Sequence, residues 1–421
     1  MNKVVLCADI GTSSLKAALI DSAGDVLSIS RIPFKNDCAQ KTALQWLPSL
    51  LKAVEEMSET TKGLSSISLD ALAVSGNGPT FVSEDGSTVM WNTPDRIVKP
   101  VKGCSLFIPK LITFKNTYTK EYLASSYIIS GPEYLIYLLT DTLITILPED
   151  RYVSAYWDNC ILQQNGFSVE EIKKLPPFVK PGFNAGKLKN SLLLKIKEYF
   201  PKTKDVSVYC GAPDFVAALA GSGTLSHAKI CDRAGSSEGI NFCTREKLCG
   251  DDIRTLPSII SDLWNASVLI PQSGKNFDIY KTELESIKNT KYSYDSLTRE
   301  LLSPTVKDGD LLKGQKLLTQ TALQVKKGLD ILKEAYKGTG EDFPDIMTIT
   351  GGQSKNDLWL QYKADITQIK IAVPKCNDAE LIGDAIFAFT GMGLYHSYED
   401  AARVLCKPGK IFTPHNNKGL S

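Results

Sequence analysis

Twice in this chain a short apolar run breaks at a turn of glycine and hydroxyl residues and then resumes as a second apolar run. Residues 4–8 lead into Asp9-Ile10-Gly11-Thr12-Ser13-Ser14 and continue over 15–21. Residues 229–234 lead into Gly235-Ser236-Ser237-Glu238 and continue over 239–243. Each pattern predicts two strands joined by a tight turn. The surroundings repeat as well. In the first half a third strand follows over 26–33, then a helix over 43–57 with Leu44, Leu47, Leu51 and Val54 on one face. A further strand over 69–75 ends at Gly76-Asn77-Gly78-Pro79. The second half has a strand over 206–211 and a helix opening at Asp214. A long helix follows, with Leu318, Ala322, Val325, Leu329, Leu332 and Tyr336 on its apolar face. Then come a strand over 345–350, the turn Gly351-Gly352, a helix over 354–365, a strand over 369–373 and a last helix over about 380–390. Such a chain is expected to be α/β with two lobes, 1–205 and 206–421, and the irregular Lys/Tyr-rich stretch 99–204 decorating the first.

Length agrees, since 421 residues is long for one core and right for two. A formal net charge of +1 gives no overall field to recruit nucleic acid or an anionic membrane. No apolar stretch reaches the length of a bilayer span, and the apolar start is too short for a signal peptide core. The ten cysteines are dispersed without Cys-x-x-Cys pairs, and Cys7, Cys210 and Cys231 fall in apolar runs. They read as reduced core residues of a cytoplasmic protein. Three histidines, His227, His396 and His415, show no metal-ligand spacing.

Four motifs can carry chemistry. In the first, Asp9 ends a buried strand, and Gly11, Thr12, Ser13 and Ser14 form a turn suited to cradling an anion. Asp9 would sit where Mg²⁺ bridges phosphate oxygens, although an ordinary polar hairpin has the same residues. In the second, Gly235-Ser236-Ser237-Glu238-Gly239 is either a plain β-turn or a second phosphate contact from the opposite lobe. The third runs from Gly351-Gly352-Gln353 through Asn356, Trp359 and Gln361 to Asp365, with Glu380, Gly383 and Asp384 downstream. Paired glycines after a strand let a ligand approach the backbone, and a helix N-terminus favours a polar partner. The fourth is Asp214 in Cys210-Gly211-Ala212-Pro213-Asp214. It is either a helix cap or a general base for a substrate hydroxyl.

Together these residues resemble the FGGY carbohydrate kinase family, most nearly its xylulokinase-like branch, over essentially the whole chain. The resemblance implies a duplicated ribonuclease-H-like fold of the two-lobed actin-like ATPase type, with lobes closing over sugar and ATP. It implies Asp214 as catalytic base and Asp9 as the Mg²⁺ ligand. It assigns nucleotide contacts to Gly11, Thr12, Ser13, Lys16, Gly235, Ser236, Ser237, Gly351, Gly352 and Asn356. Substrate contacts fall to Asn77, Asp95, Arg96, Asp214 and Phe215. The implied activity is phosphorylation of a small sugar or polyol, a xylulose-like ketose favoured, with a homodimer as the candidate assembly. The chain departs from the family in several places. Asn77-Gly78-Pro79-Thr80 replaces a Gln-Met-His-Gly run, Phe215 replaces the amide after the catalytic aspartate, and Glu238 enters the usual Gly-Thr-Ser-Gly turn. The competing readings are a degenerate nucleotide-binding regulator without phosphotransfer and another actin-like ATPase of chaperone or filament type. The Trp359-x-Gln361 helix and the Asp214 turn disfavour the latter.

Overall fold

Val4–Ile10 and Ser14–Asp21 are buried almost throughout, so both faces of this hairpin must be covered. A computed structural model, which describes residues 2–61 and 67–415, places it at the centre of a sheet. Among the described residues the strand order is Asn184–Lys187, Ser207–Pro213, Ala71–Gly76, Val4–Ile10, Ser14–Asp21, Val26–Pro33. Val4–Ile10, Ala71–Gly76 and Ser207–Pro213 run parallel, and the register sets Ile10 and Pro213 on either side of Gly76. Three carboxyl ends therefore lie along one sheet edge, where open α/β sheets bind ligands. Asp9 lies within the first strand, opposite Lys16, and not in the turn beyond it.

One face of this sheet is covered by the helix Trp46–Thr60, preceded by a 3-10 segment over Asn36–Gln45. Its buried stripe is Trp46, Leu50, Ala53, Val54 and Met57. This stripe is rotated from the expected one: Leu44 precedes the helix and is exposed, and Leu47 and Leu51 are only partly buried at the margin of the core. The stretch 99–204 is more ordered than its composition suggests. It supplies the buried helix Gly131–Thr140 and the edge strand Asn184–Lys187.

The second sheet has the order Arg254–Pro257, Trp264–Ile270, Glu238–Thr244, Lys229–Ala234, Ile346–Thr350, Lys370–Pro374, Pro408–Phe412 among the described residues. It repeats the first connectivity. A hairpin and a third antiparallel strand lie on one side, and two parallel strands extend the sheet on the other. The helix Gly309–Tyr336 buries Leu318, Ala322, Val325, Leu329, Leu332 and Tyr336, as its periodicity predicts. The chain continues past the last expected helix into a further helix, Tyr398–Leu405, and the edge strand Pro408–Phe412.

Two compact units result. One is Met1–Gly221 with Glu380–Leu405, and the other is Ser222–Ala379 with Cys406–Ser421. The division falls at Gly221 and not at 205, because Ser207–Pro213 hydrogen-bonds along Ala71–Gly76 and so brings Asp214 into the first unit. Cys7, Cys210 and Cys231 are buried. No helix among the described residues is long and apolar enough to cross a membrane.

Candidate active site

In the first unit the three parallel strand ends bring Asp9, Asn77 and Asp214 to one edge. Asp9 is 4% exposed, and its Oδ2 lies 3.8 Å from Lys16 Nζ, which is also 3.8 Å from Glu380 Oε2. The amide of Asn77 donates to Ile10 O at 3.0 Å, which fixes the 76–80 turn against the first strand. Thr80 Oγ1 donates to Asn77 Oδ1 at 3.0 Å and accepts the Trp91 amide at 3.1 Å. The Trp91 indole in turn donates to Thr12 Oγ1 at 2.9 Å, so the two turns are tied together. Asn77 Nδ2 is buried with no hydrogen-bond partner among the described residues. A buried amide donor left in this state is unfavourable and suits a site that a polar ligand completes.

Asp214 begins the helix Asp214–Gly221, half-buried, and its Oδ1 accepts the amide of Phe215 at 2.6 Å. The Phe215 ring lies 6.4 Å from that of Tyr152. Just before it, Gly211 allows an approach that no other residue would. An added Cβ would stand 2.3 Å from Asp384 Oδ1 and 2.4 Å from Val74 O. Gly211→Ala is expected to lose about 1–3 kcal/mol of unfolding free energy, measurable by urea denaturation, because neither the strand carbonyl nor the buried Asp384 can move away.

In the sequence Asp384 stands out only as part of a motif. In the fold it has no exposed surface and accepts Ser75 Oγ at 2.9 Å. Burial, reinforced by the charge of Asp9, pushes its carboxyl well above the usual carboxylate range. Asp95 and Arg96 are exposed and otherwise engaged. The Asp95 carboxylate pairs with Lys110 at 2.7 Å, and the Arg96 backbone is fixed by Thr113 and Asn116. The polar contacts of Asn77 run to Ile10 and Thr80 and reach neither of them.

In the second unit the same strand-end logic brings two turns together. Arg233 is in register with Thr350, so Gly235-Ser236-Ser237 emerges beside Gly351-Gly352. Gly351 has φ of +88°, and a Cβ there would strike Ala234 O at 2.7 Å, so only glycine fits. Gly235, Ser236, Ser237 and Gly352 are exposed. Gln353 Nε2 donates to Gly235 O at 3.1 Å, which joins the two turns. Asn356 serves the fold. Its Oδ1 caps the helix Asp357–Thr367 by accepting the Trp359 amide at 3.0 Å, and its Nδ2 donates to Thr298 at 2.9 Å. An Asn three residues before an apolar position signals this cap in the sequence.

The comparisons with known proteins follow these motifs. The C-terminal domain of the FGGY family of carbohydrate kinases matches residues 302–392, which include the Gly351–Asp365 motif. A xylulose kinase of Staphylococcus epidermidis is 22% identical over 478 residues, covering 99% of this chain and 93% of that protein. This chain belongs to the FGGY family of carbohydrate kinases, on its xylulokinase-like side. A Bacillus subtilis xylulose kinase is 21% identical, covering 98% of this family member and 93% of that protein. Among solved structures, a ligand-bound xylulose kinase from Lactobacillus acidophilus superposes with a TM-score of 0.76 at 13% identity, covering 98% of this chain and 94% of that one. Plasmodium falciparum glycerol kinase with ADP gives 0.74 at 14% identity, with the same coverage of both chains. These likenesses establish the actin-like ATPase fold that the repeated sheets suggest.

Proposed function

We propose that this FGGY kinase transfers the terminal phosphoryl group of ATP to a hydroxyl of a small sugar or polyol, with a xylulose-like ketose favoured. The observation that carries the reading is the alignment of Asp9, Asn77 and Asp214 on adjacent carboxyl ends of three parallel strands, with the side-chain Nδ2 of Asn77 unsatisfied among the described residues. Asp214 accepts the proton of the attacking hydroxyl. Asn77 Nδ2 donates to a substrate oxygen and orients the sugar. Gly11, Thr12, Ser13 and Lys16 in one unit, and Gly235, Ser236, Ser237, Gly351 and Gly352 in the other, take the nucleotide.

Among the described residues no group of three or more His, Cys, Asp or Glu could form a metal site on its own. That suits Mg²⁺, which takes one or two carboxylates and completes its shell with phosphate oxygens and water. Asp9 is the residue that would hold it. MgATP, when bound, supplies the phosphoryl group and the cation that offsets its charge. The chain's part is to hold the hydroxyl, the base and the phosphates in line.

Two observations favour the second reading, a nucleotide-binding regulator. Asp95 is paired with Lys110, and Phe215 stands where the family has an amide. ADP release measured with MgATP across pentuloses, pentitols, hexoses and glycerol separates the two. The kinase reading expects stimulated turnover on one class of compound. ATP binding without stimulation by any of them would favour the regulator.

A further inference from the structure

The apolar core of the second unit contains three ionisable side chains that the site described above does not use. Lys363, Asp232 and Glu238 have no exposed side-chain surface. Lys363 Nζ donates to Glu238 Oε2 at 2.7 Å and to Asp232 Oδ2 at 3.1 Å, and stands 5.0 Å over the Trp359 ring. The hairpin register explains the meeting. Ala234 faces Glu238 and Asp232 faces Ile240, so both carboxylates leave the same face of the sheet. That face packs against Leu329, Leu332 and Leu360. On the helix Asp357–Thr367, Lys363 follows Trp359 by four residues and Leu360 by three, so it lies on the buried stripe.

Apolar residues of the same volume would fill this core at least as well, since desolvation opposes the attraction between buried ions. What the ions add is direction. Glu238 is the first residue after the Gly235–Ser237 turn and opens the return strand. Gln353, from the second glycine turn, donates to Gly235 O and accepts the Trp359 indole at 3.0 Å. Burial raises the Glu238 carboxyl, but Lys363 outweighs it, with Asp232 and Gln353 assisting, and keeps Glu238 charged. Ser236 O accepts the amide of Lys275 at 3.0 Å, and Ser237 Oγ that of Gln272 at 3.0 Å. The turn is thus held at its base by the triad and at its flank by the helix Ser273–Lys288 and the residue before it.

We propose that the Lys363–Glu238–Asp232 triad positions the Gly235–Ser237 turn for nucleotide phosphate. Lys363, carried on the helix that follows the Gly351-Gly352 turn, fixes Glu238 and through it the turn. The terminal phosphate of a nucleoside di- or triphosphate then meets a preorganised contact. The proposal rests on the reading of this turn as a phosphate site. Lys363, Glu238 and Asp232 are positioning residues and touch no substrate.

The test is calorimetric titration of the full chain with ADP and, separately, with adenosine. Glu238→Gln and Asp232→Asn each leave Lys363 paired with one carboxylate. Glu238→Gln is expected to weaken ADP about tenfold and leave adenosine unchanged, while Asp232→Asn shifts either by less than about twofold. Should Glu238→Gln lose cooperative unfolding, the apolar triple variant Asp232→Leu/Glu238→Met/Lys363→Met carries the same comparison. ADP affinity of the tested variant within about twofold of the original would overturn the proposal alone, and so would an equal loss of adenosine affinity, which marks general loosening. An original chain that binds adenosine but gains nothing from the phosphates of ADP would overturn the phosphate reading and the proposal together.

Discussion

Asp214→Asn is expected to reduce sugar-stimulated ADP release by about 10²–10⁴-fold, the usual contribution of a positioned general base. The substitution removes the proton acceptor and little else. An asparagine Oδ1 can still accept the Phe215 amide that Asp214 Oδ1 accepts at 2.6 Å, and Asn serves at a helix start about as well as Asp. The helix Asp214–Gly221 should therefore stay packed, and ADP titration should give the original affinity, because the turns assigned to adenosine lie in the other unit. The discriminating result is a fall in kcat with ADP binding and the thermal midpoint unchanged. Turnover within tenfold of the original would remove Asp214 from the mechanism and leave it as a helix-start residue, the other reading its sequence position allows.

How far this site can be read from sequence depends on whether a residue's role is set by near neighbours or distant ones. Asp214 is legible because Gly211-Ala212-Pro213 ends a strand and starts a helix locally. The strand Val26–Pro33 is legible because its alternation is its own. Asp9 reads as an acid at a strand end, yet the strand continues through Ile10 because both residues pair across the hairpin and with Ala71–Gly76. Asn356 is expected at the nucleotide, but its amide is taken up by a helix cap and by Thr298, 58 residues away. Leu44 fits the helical spacing but stands before the helix starts, so apolar periodicity alone overextends the element. The Asp384 environment is hidden, since Ser75 and Asp384 are separated by 309 residues. One signal for the triad is present: Asp232 interrupts an apolar strand, and Lys363 interrupts the apolar stripe of its helix. Their pairing spans 131 residues, which no local pattern reports.

Lys363→Met tests the energetics of that triad and is expected to lower the stability of the chain by about 3–5 kcal/mol. Methionine fills much of the same volume, so the loss comes from two buried carboxyls deprived of their cation and not from a cavity. In the native triad burial already pushes Asp232 up to about 8, with Lys363 opposing and Glu238 reinforcing the shift. Without Lys363 the folded state would favour protons on both carboxyls, while the unfolded chain releases them near the ordinary carboxylate range, about pH 4. The variant therefore binds more protons folded than unfolded above that range, and its stability should fall further as pH rises from 5 to 8. Urea unfolding followed by tryptophan fluorescence, with Trp359 directly beside Lys363, would report the change at each pH. The apolar triple Asp232→Leu/Glu238→Met/Lys363→Met should recover most of the loss and show no such slope, because no charge remains to be stranded. A single variant within about 1 kcal/mol of the original at pH 8 would mean that the carboxyls are stabilised without Lys363. A triple variant as unstable as the single would locate the stabilisation in packing and not in charge.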